Sequence, residues 1–242
     1  MATYVIADLH LSEAKGCNKA MDVFGRRWTG YVEKLKRSWR ELVGTEDDVI
    51  IPGDISWALT LGDAEADLRL LDSLPGRKYL LKGNHDFWWS SMTKNLQACK
   101  AWGLSTLSFL HNNALETKEY ILAGTRGWFY EEDATGIPDG VNFEKLILRE
   151  AGRLRLSLEA AAASPAARQK ETVAFMHFPP VWNESVVTPF IDVLCEFGIR
   201  RCYYGHIHGN YMAPAAVTHR DIQFCLVSAD YLNFVPYCIL PL

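Results

Sequence analysis

The sequence predicts an α/β fold on three observations. Short β-rich runs recur along its whole length, helical patterns alternate with several of them, and clusters of Asp, Asn and His stand directly behind the runs. The β-runs occupy residues 4–7, 49–52, 79–81, 106–110, 120–123, 173–176, 202–204, 222–227 and 237–240, each rich in Val, Ile, Leu or aromatic residues.

The helices follow in order. A helix is expected over 31–43, inside a long connection that runs from Ser12 to Asp47. Residues 63–74 open on acidic side chains, which suit the positive end of a helix, and stop at Pro75-Gly76. Residues 90–102 end at Gly103 in the same manner. Residues 143–163 carry Ile147, Ala151, Leu154 and Leu158 on one stripe, the mark of an amphipathic helix with one packed face. On this helix Arg149 and Arg153 lie one turn apart and are expected on a solvated face. A second long connection, from Thr125 to Asn142, is rich in Gly, acidic and aromatic residues, and long connections within compact domains are commonly functional.

Bulk properties narrow the classes. With 242 residues, 49% apolar and 22% charged, the chain can bury a sizeable core and is expected to form one domain over residues 1–242. The formal net charge of -4 gives no general attraction for a polyanion, so stable nucleic-acid binding is not expected and only a local basic patch would draw anions. Six dispersed cysteines with no C-x-x-C pair read as reduced thiols, mostly in the core. The chain enters its first strand at once, without a leader pattern, and has no apolar run of membrane-spanning length, so a cytoplasmic location away from membranes is expected.

The chemistry lies in five clusters: Asp8-Leu9-His10, Gly53-Asp54, Gly83-Asn84-His85-Asp86, His177, and Gly205-His206-Ile207-His208. Each follows a β-run, and in layered α/β folds the crevice at the carboxyl ends of strands is where ligands collect. Carboxylate, imidazole and amide oxygens suit mid-row divalent ions, with Mn²⁺ first and iron or zinc as the other candidates. There are too many donors for one ion. Any single motif is weak; the combination is specific.

In this order the motifs D-x-H, G-D, G-N-H-D, a lone His and G-H-x-H resemble those of the calcineurin-like metallophosphoesterase superfamily. The resemblance implies a four-layer αββα sandwich with two packed mixed β-sheets. It implies a dinuclear site, with Asp8, His10, Asp54 and His208 holding one ion and Asp54, Asn84, His177 and His206 the other, Asp54 being shared. The implied activity is hydrolysis of a phosphate mono- or diester by a hydroxide bridging two ions roughly 3.5–4 Å apart. His85, not needed as a ligand, is expected to serve the leaving oxygen as general acid or to stabilise charge, with Asp86 orienting its imidazole. A catalytically silent interaction scaffold on the same fold is the competing reading.

Around the motifs, Trp57, Phe87, Trp88, Trp89, Phe178 and Trp182 are core candidates; Trp57 and Trp88 are also candidates for a rim that stacks on a ring of a small phosphorylated substrate, a nucleotide among the options. Arg126, opening the second long connection, is a candidate phosphate contact, and Arg26-Arg27 is weighed the same way. His111 and His219 fall outside every motif and are expected to be surface or satisfied core histidines.

Overall fold

The computed structural model describes residues 1–13, 21–129 and 142–241. Cys17 and most of the connection from Thr125 to Asn142 lie outside these described residues. The elements run β1 (Thr3–Val5), α1 (Tyr31–Leu42), β2 (Asp48–Pro52), α2 (Glu65–Ser73), β3 (Arg77–Leu81), α3 (Met92–Trp102), β4 (Leu107–Leu110), β5 (Leu115–Glu116), β6 (Tyr120–Thr125), α4 (Phe143–Ala162), β7 (Glu171–Met176), β8 (Val181–Trp182), β9 (Ser185–Val186), α5 (Thr188–Glu196), β10 (Arg201–Tyr204), β11 (Ala216–His219), β12 (Ile222–Leu226) and β13 (Tyr237–Ile239). Two 3-10 turns, Met21–Phe24 and Arg26–Trp28, precede α1. Each strand and helix expected from the sequence is present, with ends that differ by at most two residues.

The strands form two mixed sheets. One has the order β13-β1-β2-β3-β4, the other β11-β12-β10-β7-β6-β5. In the first, β1 to β4 are parallel and β13 is antiparallel at the edge. In the second, β12, β10, β7 and β6 are parallel, with β11 and β5 antiparallel at the two edges. Register follows from this: Val5 lies beside Ile50 and Ile50 beside Tyr79, while Ala123 lies beside Ala174 and Ala174 beside Cys202.

Because the central strands are covered on both faces, alternate residues feed different cores. Val5, Ile50, Tyr79 and Leu81 point between the sheets, against Leu122, Val173, Phe175 and Tyr203. Their neighbours Ile6, Val49, Ile51 and Leu80 point the other way, under Leu35 and Trp39 of α1 and Leu68 and Leu71 of α2. On the far side, Ala123, Ala174 and Cys202 lie under Ile147, Leu154 and Leu158 of α4 and Phe190 and Leu194 of α5. Three cores between four layers make the αββα sandwich.

Local chemistry explains the helices. In α1, Tyr31, Leu35 and Trp39 recur every four residues and are buried. Ser91 caps α3 and Asn142 caps α4, each side chain accepting a backbone N–H of the first turn, and Gly103 closes α3 in a left-handed conformation. Helix α5 was not among the expected elements. Its Val, Ile and Phe residues favour strands locally; Pro189 in the first turn and burial of Phe190, Ile191, Val193 and Leu194 against the second sheet decide for helix. The five cysteines among the described residues are free, and three of them are buried. Among the described residues, no helix is long and apolar enough to cross a membrane.

Phe175 and Tyr203 stack between the sheets, ring centroids 5.7 Å apart. Phe175→Ala should lower stability by about 3–5 kcal/mol, read as a lower urea midpoint at unchanged slope; a shift below about 1 kcal/mol would contradict the packing described.

Candidate metal centre

The parallel strands of both sheets end on the same side, and at that rim the sheets are stitched together. Ala7 donates to the Val227 carbonyl and its own carbonyl accepts from Ala229, so the end of β1 is tied to the end of β12. From there residues 8–11 run beside 53–57: Asp8 donates to Gly53, His10 to Asp54 and Leu11 to Ile55. His177 follows β7, and its carbonyl accepts from Gly205, which follows β10.

Four of the residues carried here have left-handed backbone: Asp8 (φ 60°), His10 (φ 46°), Asp54 (φ 51°) and His206 (φ 70°). Such conformations cost non-glycine residues about 1–2 kcal/mol each, and their clustering at one rim marks a site for which local stability is given up. Two glycines permit the close approach. A Cβ on Gly83 would fall on the Asp54 carboxylate, and one on Gly205 would fall on that of Asp8.

All seven residues expected as ligands meet at this rim. Asp8, His10 and His208 form one group and Asp54, His177 and His206 another, the candidate ligand atoms of each lying within 4.8 Å of one another. His10 Nε2 is 3.3 Å from His208 Nε2, and His208 Nε2 is 3.6 Å from Asp8 Oδ1. The Asn84 amide oxygen lies 2.6 Å from His177 Nε2 and 3.1 Å from His206 Nδ1. Asp54 Oδ2 stands between the groups, 3.7 Å from His10 Nε2 and 3.4 Å from His177 Nε2. Donors each about 2.1 Å from a shared ion lie about 3.0–3.5 Å apart at octahedral to tetrahedral angles, so the spacing and the oxygen and nitrogen chemistry fit divalent ions.

Burial governs the protonation of this cluster. Asp8 and Asp54 are essentially inaccessible, and burial raises both carboxyls above their usual range, against the pull of nearby imidazoles. The same burial holds His177 down to about 3 and His10 and His206 well below their ordinary value, neighbouring imidazoles adding to the effect. His208 differs: burial pushes it down, but the hydrogen bond to Asp230 and the charges of Asp8 and Asp230 lift it to about 9.

Further contacts orient the donors. His177 Nδ1 lies 3.1 Å from the Pro52 carbonyl, which leaves Nε2 for the site. The His85 amide donates to Asp54 Oδ1 at 2.8 Å, and the His206 amide to both oxygens of Asp8. Asp230 was missed in the sequence: Oδ1 takes His208 Nδ1 at 2.8 Å and Oδ2 takes the Gly209 amide. Its only signal was position, three residues behind the β-run at 222–227.

Several expectations need correction. Asp86 is fully buried, and its carboxylate accepts from the Gly83, Ile55 and Ser56 amides and the Trp88 indole, so it ties loops together. Trp88, a candidate for the core and also for a stacking rim, is 1% exposed with its N–H given to Asp86, so it belongs to the core and offers no face to a ligand. Trp57 stacks on His10 at 4.7 Å and lies 4.4 Å from His85. It forms one wall of a cavity of about 300 Å³ with Met21, Phe24, Trp28, His85 and His208. Arg27 donates to the Asp230 and Tyr231 carbonyls and so braces that wall. Arg126 lies on the other flank, its carbonyl accepting the His177 and Phe178 amides. Of Arg149 and Arg153, expected on a solvated face, Arg149 is exposed as expected, while Arg153 bends in to buried Glu150 at 2.6 Å.

Fold and donor set together define a layered α/β protein with a divalent-cation centre at its strand ends. The chain belongs to the calcineurin-like phosphoesterase family, whose model matches residues 1–210. Among curated proteins it is similar to the Gene 66 proteins of Mycobacterium phage L5 (38% identical over 88 residues, 35% of this chain) and Mycobacterium phage D29 (42% over 82 residues, 33% of this chain). These matches span about two fifths of the relatives' length, 39% and 38%. Among solved structures, TT1561 of Thermus thermophilus matches with a TM-score of 0.58 at 10% identity, over 98% of this chain and 97% of that one. Phosphopantetheinyl hydrolase from Mycobacterium tuberculosis matches with a TM-score of 0.52 at 15% identity, over 99% and 96%. At such identities the likeness is one of fold.

Asp230→Asn should weaken Mn²⁺ binding by about 10–100-fold with the fold intact by circular dichroism. Calorimetric titration measures it, and unchanged affinity would remove Asp230 from the centre.

Proposed function

We propose that residues 1–242 form one phosphoesterase domain that hydrolyses a small phosphate mono- or diester at a dinuclear centre, Mn²⁺ being the ion the oxygen and imidazole donors suit first, with iron or zinc next. The observation that carries this reading is the position of Asp54 Oδ2, one carboxylate oxygen within 3.7 Å of His10 Nε2 and 3.4 Å of His177 Nε2, as a shared ligand requires. Asp8, His10 and His208 complete one side; Asn84, His177 and His206 complete the other. Two divalent ions supply, when bound, a shared hydroxide at neutral pH and positive charge for the phosphoryl oxygens.

The remaining chemistry belongs to the chain. His85 is half-buried at the mouth of the aromatic cavity, and its amide is fixed by Asp54. From there its imidazole gives a proton to the departing oxygen or stabilises charge on it. Asp86 positions rather than reacts: by holding the Gly83 amide and the 55–56 backbone it fixes the loop that presents Asn84 and His85. Trp28 and Trp57 wall the cavity beside His10 and exclude water from one side of the phosphorus, which favours a flat leaving group such as an aryl ring or nucleobase. Phe24, 60% exposed, lies at the same cavity. The free cysteines suit a reducing compartment such as the cytoplasm.

Metal-dependent turnover separates this reading from a silent scaffold. Hydrolysis of 4-nitrophenyl phosphate or bis(4-nitrophenyl) phosphate should appear with Mn²⁺ and vanish on chelation; no turnover of either would favour the scaffold. His85→Asn should lower kcat by about 10²–10⁴-fold at unchanged metal content. Loss of metal in that variant would instead make His85 a ligand. Trp57→Leu should raise KM for the aryl substrates more than it lowers kcat, and an unchanged KM would detach the cavity from the substrate.

A further inference from the structure

A second cavity, about 210 Å³, lies on the opposite flank of the metal centre from the aromatic one. It opens where β3, β4 and β6 end, and is lined by Lys82, Trp89, His111, Arg126, Glu150 and Arg153. Its volume accommodates a tetrahedral oxyanion with several waters.

The charges there do not balance. Glu150 is a fully buried carboxylate on the packed face of α4. Oε2 accepts from Thr125 Oγ1 at 2.8 Å, and Oε1 alone faces Arg153 at 2.6 Å, Arg126 at 3.5 Å and Arg149 at 3.6 Å. Lys82 has no carboxylate in ion-pair range among the described residues. Three cations (Lys82, Arg126 and Arg153) therefore line the cavity with one carboxylate, an excess of two positive charges in a chain whose net charge is -4. Burial, followed by Arg153, Lys82 and Arg126, holds His111 below its ordinary value despite Glu150, which agrees with a positive interior.

Two donors at this cavity are also unspent. The Trp89 indole N–H and the Arg126 Nε–H are buried and have no hydrogen-bond partner among the described residues, and Trp89 is 6% exposed. A buried donor left unmade costs about 1–3 kcal/mol, so two of them, beside uncompensated cations, call for an acceptor with several oxygens.

We infer that this cavity is an anion site for a phosphate-type oxyanion, held by Lys82, Arg126 and Arg153 and by the Trp89 indole. The guanidinium forks suit two oxygens at once, and Lys82 acts as a point charge. The oxyanion is a second phosphoryl group on the molecule whose ester lies at the metal centre, or free inorganic phosphate. The site stands apart from the hydrolytic reading, since its occupancy can be read without turnover.

The test is nitrogen-proton NMR of tryptophan indoles in zinc-loaded protein titrated with inorganic phosphate, Trp89 and Trp57 being assigned by their Phe variants. The Trp89 signal should shift and saturate, on a curve separate from that of Trp57, which reports the metal centre. Lys82→Gln and Arg153→Gln should each weaken the Trp89 curve by about tenfold or more and leave the Trp57 curve in place. A Trp89 signal that stays fixed while Trp57 moves, or one that both variants leave unchanged, would overturn the inference. Where the site is occupied, kinetics identify the source. A KM increase in Lys82→Gln for adenosine 3′,5′-bisphosphate but not for AMP assigns the anion to the substrate, and equal KM values with a weakened Trp89 curve assign it to free phosphate.

Discussion

Two carboxylates, Asp8 and Asp54, are packed at essentially zero exposure among imidazoles at the junction of two sheets, and most of the surrounding structure answers to that fact. An ionised carboxylate taken out of water loses several kcal/mol of solvation even after relaxation. The chain returns part of this through backbone amides, His206 to Asp8 and His85 to Asp54, and through His208, which Asp230 keeps high in proton affinity. Divalent cations held there would return far more, because they would neutralise both carboxylates and take the lone pairs of His10, His177 and His206, which burial already holds neutral. The left-handed backbone at Asp8, His10, Asp54 and His206 belongs to the same balance: it carries a local strain that bound metal would offset.

Much of the fold was legible because the sheets are parallel and doubly covered. A strand such as 49–52 must be apolar on both faces, which makes it a visible run, and its end must be polar where it meets the crevice. The same logic made the clustered donors legible, since Asp54, Asn84, His177 and His206 stand one to three residues past such ends. Helix α5 was hidden because its residues are strand formers, and its structure is set by the sheet beneath it rather than by local preference.

At the level of side-chain roles, sequence adjacency misled where one atom was claimed by an unforeseen partner. Trp57 and Trp88 follow equivalent motifs, yet one walls a cavity and the other is buried, because the Trp88 N–H is bound by Asp86. Asp86 was read only as a partner of the adjacent His85, whereas its carboxylate also gathers three backbone amides and an indole from the surrounding loops. Asp230 was silent because its function exists only against His208, 22 residues away in sequence. On α4 the stripe Ile147, Ala151, Leu154, Leu158 was read as purely apolar, while Glu150 and Ser157 share that buried face. Glu150 then draws Arg153 inward to a positive cavity, while Arg149 stays half exposed.

The two cavities sit on opposite flanks of one rim, and their chemistries are unlike. The flank beside His10 and His208 is aromatic and apolar, bounded by Trp28 and Trp57; the flank beyond Asn84 is cationic, bounded by Lys82, Arg126 and Arg153. Both are fixed by the backbone that fixes the ligands: Trp57 lies three residues past Asp54, Lys82 two before Asn84, and the Arg126 carbonyl receives the His177 amide. Selectivity and metal binding therefore cannot be tuned independently here. A shift in the 53–57 strand end moves Asp54 and the aromatic wall together, and a shift in the 82–85 loop moves Asn84, His85 and the lysine together. A ligand that carries an apolar ring on one side of phosphorus and an anionic group on the other would bear on all of these segments at once, and its binding energy would be spent on holding the two ligand groups at the separation Asp54 spans.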